Sequence, residues 1–187
     1  RAYVAQGLKV MALQKNIGVK ALREVALVNS KPNSYQVGFT LGPRINAAGR
    51  VGESELGARL LACDDEMHAI NMSNLLDEQN KLRQQIESSV LEQALSLVNE
   101  DNEKENVILV AADNWHPGVI GIVSARLREK FNKPACVVSI QNGIGKGSGR
   151  SISGWDLGSA IIGAVQSGLL KGGGGHKMAA GFSVRSD

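Results

Sequence analysis

Four short runs of this chain, residues 42–50, 114–121, 147–151 and 172–182, set cationic, imidazole or hydroxyl side chains among small residues. Each offers hydrogen-bond donors beside accessible backbone, which suits holding an anion better than breaking a bond. The densest is Gly172-Gly173-Gly174-Gly175-His176-Lys177-Met178-Ala179-Ala180-Gly181-Phe182. Glycine lets a phosphate reach the backbone with no Cβ in the way, and His176 and Lys177 add donors next to Gly174 and Gly175. Four glycines alone would read as a linker. The compact apolar residues that follow, and the strand-like Phe182-Ser183-Val184, instead predict a turn inside a packed domain.

In residues 42–50, Arg44 and Arg50 flank small side chains, and a guanidinium fork suits phosphate. The competing reading is a helix-packing corner whose arginines pair with carboxylates. With three acidic residues in positions 1–62, local partners are scarce. In residues 114–121, Pro117 fits a first helical turn, which would set that turn's N–H groups and His116 at the end of a strand, where α/β folds bind ligands. Residues 147–151 put Ser148 and Arg150 on a glycine-lined strand at which something approaches closely.

Hydrolytic chemistry is harder to find. A divalent-metal site needs several carboxylates converging on one point, yet the acids concentrate in residues 63–105. Asp64-Asp65-Glu66-Met67-His68 pairs acids with a histidine, but reads as a helix N-terminus, where acids favour the dipole. No Ser–His–Asp spacing or P-loop is present. Cys63 and Cys136 form no CxxC pair and read as small core residues.

Charge is segregated: residues 1–62 carry a net +6, 63–105 a net −8 and 106–187 a net +5. Two basic regions either side of an acidic one favour a polyanion on the basic parts. No apolar run approaches the roughly 20 residues of a bilayer span, and no leader pattern opens the chain, so the sequence reads as soluble and intracellular. It opens on Arg1 and ends at Asp187 just after a strand-like segment, which suggests a piece of something longer.

The elements that must position these groups follow from periodicity. Residues 2–13 and 17–28 have helical spacing, 37–41 read as extended or irregular, and Pro43 biases Gly42 away from helix. A short helix follows Ser54. Residues 64–98 contain no Gly or Pro and predict a long helix, with Leu82, Ile86, Val90, Ala94 and Val98 as its apolar stripe and a break near Ser73-Asn74 left open. Residues 107–112 and 135–140 are apolar runs of strand length around a helix over 119–131, a βαβ pattern. A strand over 143–151 and a helix over 155–165 come next. Thirteen of the 22 glycines lie between Gly143 and Gly181.

Taken in order, GPRINAAGR at 42–50, WHPGVIGIVSARL at 115–127, SGRS at 148–151 and GGHKMAAGF at 174–182 resemble the RecJ-type single-strand-specific 5′→3′ exonucleases of the DHH phosphoesterase superfamily. The last three resemble its DHHA1 domain. The first discriminates further, because GGH motifs also occur in oligoribonucleases, cyclic-dinucleotide phosphodiesterases and alanyl-tRNA synthetases. The resemblance implies an α/β chain: the helical tail of a DHH domain over 1–63, a long connecting helix over 64–100, and a DHHA1 domain with a mixed sheet over 105–187. It implies that Ser148, Arg150 and His176, with Gly174 and Gly175, hold strand phosphates. Arg44, Asn46 and Arg50 complete the grip from the other lobe, with His116 as a further member.

The Asp-His-His triplet is absent, so the ligands implied for Mn²⁺ or Mg²⁺ fall outside the chain. No catalytic residue or metal is expected within it, and the isolated chain should not hydrolyse DNA. The implied partner is single-stranded DNA in the cytoplasm, with no membrane and with DNA repair and recombination as the setting. Aromatic content of 4% predicts electrostatic rather than stacked binding. The competing readings are an oligoribonuclease or cyclic-dinucleotide phosphodiesterase of the same superfamily, and a non-catalytic nucleic-acid-binding scaffold.

Overall fold

The computed structural model describes residues 1–99 and 104–185 and divides into two compact units, Arg1–Gln84 and Gln85–Asp187. Residues 100–103, in the polar stretch expected to end the long helix, lie outside the described residues, as do 186–187 at the expected end of the last domain.

The first unit is helical: α1 (Ala2–Ala12), α2 (Ile17–Val25), α3 (Ser34–Gln36), a π-helical turn (Val37–Leu41), α4 (Gly42–Val51), α5 (Leu56–Leu61) and the start of α6 (Glu66–Leu97). Side chains fix the starts. Asn16 accepts the Val19 N–H at 2.8 Å and donates to the Leu61 carbonyl at 2.9 Å, so one residue caps α2 and ties it to the end of α5. Asp65 accepts the His68 N–H at 2.7 Å, which makes the acidic cluster the helix start that the sequence predicts. The core gathers Ala21, Leu22, Leu41, Ala48, Leu56, Leu60, Ala69 and Leu76.

Residues 37–41 are not extended. The Gly42 N–H bonds the carbonyl of Val37, five residues back, and the chain runs directly into α4 with Pro43 in its first turn. Gly42 itself is helical, at φ −56° and ψ −46°. A proline removes one backbone donor, and a wider π turn before it absorbs the mismatch without ending the helix.

Helix α6 is continuous through Ser73-Asn74. Its apolar stripe is real only in its second half, where Val90 and Ala94 are buried and Ile86 and Val98 pack beside them. Leu82 is 46% exposed, because in the first half the buried face includes polar residues, Ser73, Asp77 and Asn80, alongside Ala69 and Leu76.

The second unit is a mixed α/β layer built on β1 (Ile108–Asp113), α7 (Ile120–Phe131), β2 (Ala135–Gln141), β3 (Ile144–Arg150), α8 (Leu157–Gln166), β4 (Gly172–His176) and β5 (Ala179–Arg185). The sheet order is β1-β2-β3-β5-β4, with β1 and β2 parallel and the other pairs antiparallel. The βαβ unit therefore stands as the apolar runs predict. On one face, Ile108, Val110, Ala135 and Val137 pack with Val123 and Leu127 of α7 and with Val90 and Ala94 of α6. On the other, Cys136 and Ala180 pack with Leu157 and Ile161 of α8.

The glycine run is a strand, not a turn. It forms β4, paired with β5 through Gly173↔Phe182, Gly174↔Gly181 and Gly175↔Ala180, and none of its glycines has a positive φ. Packing, not flexibility, selects half of them. A Cβ on Gly175 would stand 2.3 Å from the Ala179 carbonyl oxygen, and one on Gly173 would stand 2.8 Å from Ile161. The close approach expected at β3 has the same origin: the Phe182 ring crosses Gly147, where a Cβ would fall 2.2 Å from it.

Candidate functional site

Antiparallel register puts paired residues on the same face of a sheet. Two rows cross β3, β5 and β4 in this way: Ser148, Gly181 and Gly174; and Arg150, Ala179 and His176. Arg150 and His176 are thus two strand intervals apart, about 10 Å. Between them lies Ala179, and beside it the bare backbone of Gly181 and Gly174. A Cβ on Gly174 would meet nothing within 4 Å, so this part of the sheet is an open floor. The alternate glycines, Gly173 and Gly175, meet their own strand partner and, at Gly173, Ile161 of α8.

Helix α7 borders the floor on one side. A Cβ placed on Gly121, in its first turn, would lie 2.9 Å from Ser148 Oγ and 3.1 Å from Arg150 Nη2. The start of α7 therefore sits directly on the serine and arginine. No side chain caps that helix, and its leading N–H groups add partial positive charge near the guanidinium. Arg150 Nη1 donates to the Gly149 carbonyl at 2.8 Å and to Ser148 Oγ at 3.3 Å, which holds the two side chains together on one strand.

The two histidines share a local arrangement. His116 Nδ1 accepts the Gly118 N–H at 3.1 Å, and His176 Nδ1 accepts the Met178 N–H at 3.2 Å. In each neutral ring the proton then resides on Nε2, which is a donor. His176 is exposed at the end of β4 and His116 is half-buried before α7.

The neighbours of His116 are structural. Pro117 is not in the first turn of α7. It follows His116 in a turn closed by the Val119 N–H on the His116 carbonyl at 3.1 Å, the position where proline's fixed φ fits. Trp115 is 2% exposed, and its indole N–H donates to Gln93 of α6 at 2.8 Å while its carbonyl accepts from Ser139. The tryptophan is a core residue that ties α6 to the sheet.

In the first unit, Arg44, Asn46 and Arg50 all lie on α4, and only Asn46 and Arg50 are exposed. Arg44 has found a carboxylate. Its Nε donates to Asp77 Oδ1 at 2.8 Å and its Nη1 to the Thr40 carbonyl at 2.8 Å, while Lys81 Nζ lies 2.8 Å from Asp77 Oδ2. Burial pushes the Asp77 carboxyl up, but the bonds and charges of Lys81 and Arg44 together outweigh it and leave the group below its ordinary range. The expected scarcity of partners fails because the carboxylate comes 33 residues later, from the acidic helix. Asp77 gave no sequence signal beyond its place in that helix.

The set therefore divides. Ser148, Arg150, Gly174 and His176 share one sheet face, with His116 in the loop leading to α7, and Arg44, Asn46 and Arg50 belong to the other unit. Among the described residues no group of three or more His, Cys, Asp or Glu is placed to hold a metal ion, and no helix is long and apolar enough to cross a membrane.

Residues 104–187 match the model of the DHHA1 domain. The whole chain is 33% identical over 190 residues to the single-stranded-DNA-specific exonuclease RecJ of Bacillus subtilis, of which it covers 24%. It is 36% identical over 178 residues to the RecJ of Escherichia coli, covering 91% of this chain and 31% of that protein. The structure of RecJ from Thermus thermophilus in complex with Mn²⁺ superposes with a TM-score of 0.87 at 34% identity, over 98% of this chain and 27% of that one. A structure of exonuclease RecJ bound to manganese gives a TM-score of 0.82 at 33% identity, over 98% and 45%. The chain thus spans about a quarter to a third of the length of these curated relatives.

Proposed function

We propose, for a chain that is homologous to the RecJ exonucleases along its length and carries a DHHA1 domain at residues 104–187, that it supplies the single-strand-gripping surface of a metal-dependent 5′→3′ DNA exonuclease. The observation that carries this reading is the shared sheet face. Ser148 and Arg150 sit under the start of α7, beside a floor of Gly174 and Gly181 wide open to a ligand.

A phosphodiester oxygen accepts from a guanidinium fork, a hydroxyl and helix-terminal N–H groups alike. Arg150 and Ser148 hold a backbone phosphate, and His176, two strands away, donates Nε2–H to a neighbouring one. The side-chain-free floor lets the strand lie close. His116 contributes from the loop before α7. On α4, Asn46 and Arg50 are the residues offered to DNA, whereas Arg44 secures α4 to α6 through Asp77. Phosphate contacts of this kind carry no base information, in keeping with a nuclease that digests any sequence. In this reading residues 1–63 are the tail of a DHH domain and 64–100 the helix joining it to DHHA1, and the enzyme works in the cytoplasm in DNA repair and recombination.

RecJ of Thermus thermophilus has been solved with Mn²⁺ and with Mg²⁺. Such ions activate water and stabilise a leaving oxygen. The role assigned to this chain is binding and orientation of the strand. The test is affinity for a fluorescein-labelled oligothymidylate at low salt. The chain should bind, Arg150→Ala should weaken binding roughly tenfold or more, and a dinucleotide should compete poorly against the long strand. Equal affinity for dinucleotide and long strand would redirect the assignment to the small-substrate phosphodiesterases of the superfamily, and no effect of Arg150→Ala would remove the site.

A further inference from the structure

We infer that Gly121 is a positioning residue: the absence of its side chain sets where the Arg150 guanidinium and the Ser148 hydroxyl stand. This rests on the proposed phosphate-binding role of those two residues. The sequence marks position 121 only as one small residue in a helix start. The structure gives it a specific neighbourhood, since a Cβ there would meet Ser148 Oγ at 2.9 Å, Arg150 Nη2 at 3.1 Å and Ser148 Cβ at 3.7 Å. The two nearest are polar side-chain termini proposed to hold phosphate.

What lies at those distances decides the outcome. Gly158 stands at the same point in α8, one residue inside the helix, but its Cβ would meet backbone, the Gly175 carbonyl carbon and His176 Cα and carbonyl carbon at 3.1 Å. Backbone cannot yield without moving β4, so glycine at 158 is required for packing. At Gly121 the two closest atoms end side chains that turn about their own torsions. A methyl group would be accommodated by displacing the guanidinium and hydroxyl, while the helix gains from alanine, a better former than glycine. The fold has no need of glycine at 121; the placement of Arg150 and Ser148 does.

The discriminating experiment compares Gly121→Ala, Arg150→Ala, the double variant and Gly158→Ala in the whole chain, reading thermal midpoint and oligothymidylate affinity across a salt series. Gly121→Ala should keep or raise the midpoint, weaken binding several-fold, and flatten the dependence of log affinity on log salt, as loss of a phosphate contact does. In the double variant the total loss should be smaller than the sum of the two single losses, because only the displacement of the Ser148 hydroxyl remains to be felt. Gly158→Ala should lower the midpoint. Undiminished binding by Gly121→Ala, or a fall in midpoint with losses that add to those of Arg150→Ala, overturns the inference. If Gly121→Ala does not fold, Gly121→Ala combined with Ser148→Ala opens space at Oγ. That variant should bind more weakly than Ser148→Ala, and equal binding overturns the inference. If Arg150→Ala itself binds normally, the phosphate site is what has failed.

Discussion

Asp77 offers the most closely determined perturbation. Its carboxylate belongs to a residue only 8% exposed and accepts two charged donors at 2.8 Å, Arg44 Nε and Lys81 Nζ. They are unequal. The Lys81 side chain is 68% exposed, and an ion pair there contributes a few tenths of a kcal/mol. Arg44 is 19% exposed and also donates to the Thr40 carbonyl, so its bond to Asp77 is shielded from water and held in one geometry. A hydrogen bond to a charged group under those conditions contributes about 1.5–3 kcal/mol. Asp77→Ala should therefore destabilise the first unit by about 2–3 kcal/mol, Arg44→Ala by a similar amount, and Lys81→Ala by under about 0.5 kcal/mol.

In a double-mutant cycle read by urea unfolding, Arg44 and Asp77 should couple by about 1–2 kcal/mol. The pH dependence has a fixed sign. Because the folded carboxyl titrates below its ordinary value, its contribution is complete above the unfolded pKa, near 3.9. It is lost as pH falls through the lower folded value. The gap between wild type and Asp77→Asn should accordingly be constant from pH 7 to about 5 and close below about 4. Equal effects of Asp77→Ala and Lys81→Ala, or Arg44–Asp77 coupling under about 0.5 kcal/mol, would refute the argument.

Other outcomes follow from single contacts. Gly147→Ala drives a methyl into the Phe182 ring and should cost about 1–3 kcal/mol, with Phe182→Leu in the same chain recovering part of the loss in a thermal melt. Asp156, which caps α8 by accepting the Ser159 N–H at 3.0 Å, should cost about 1 kcal/mol when changed to alanine, read as a lower urea midpoint. Burial pushes the Cys136 thiol up to about 11, so at pH 8 iodoacetamide should alkylate half-buried Cys63 and spare Cys136, as peptide mass mapping would show.

The parts of the fold legible in the sequence are those where one physical preference dominates. No Gly or Pro interrupts residues 64–98, and a single helix results. The apolar runs at 107–112 and 135–140 became the parallel pair β1 and β2, of which β2 is buried on both faces while β1 buries Ile108 and Val110 and leaves Leu109 exposed. Where preferences compete, distant packing decides. The π turn before Pro43 depends on a bond between Gly42 and Val37 that composition does not announce. Four glycines suggest a turn by entropy, yet become a strand paired along β5, with side chains excluded only at Gly173 and Gly175. Trp115 lies in the 114–121 run beside His116, but its N–H goes to Gln93, 22 residues earlier, a partner that local sequence does not announce. Residue types at the candidate site were readable, but not their grouping. The alignment of Ser148 with Gly174 and of Arg150 with His176 is a matter of register, fixed only once β5 lies between β3 and β4.

The alternation along β4 also bears on how such a strand tolerates change over generations. Positions 173 and 175 press on the body of the domain, and a side chain there jeopardises folding itself. Positions 172 and 174 meet nothing within 4 Å, and a side chain there leaves the domain intact while occupying the open surface. Adjacent residues of identical type are therefore under different selective constraints. A library scan would record abundance with a two-residue rhythm through the run. If this face holds a strand as proposed, single-strand binding would lose that rhythm, because each glycine would be needed for one reason or the other.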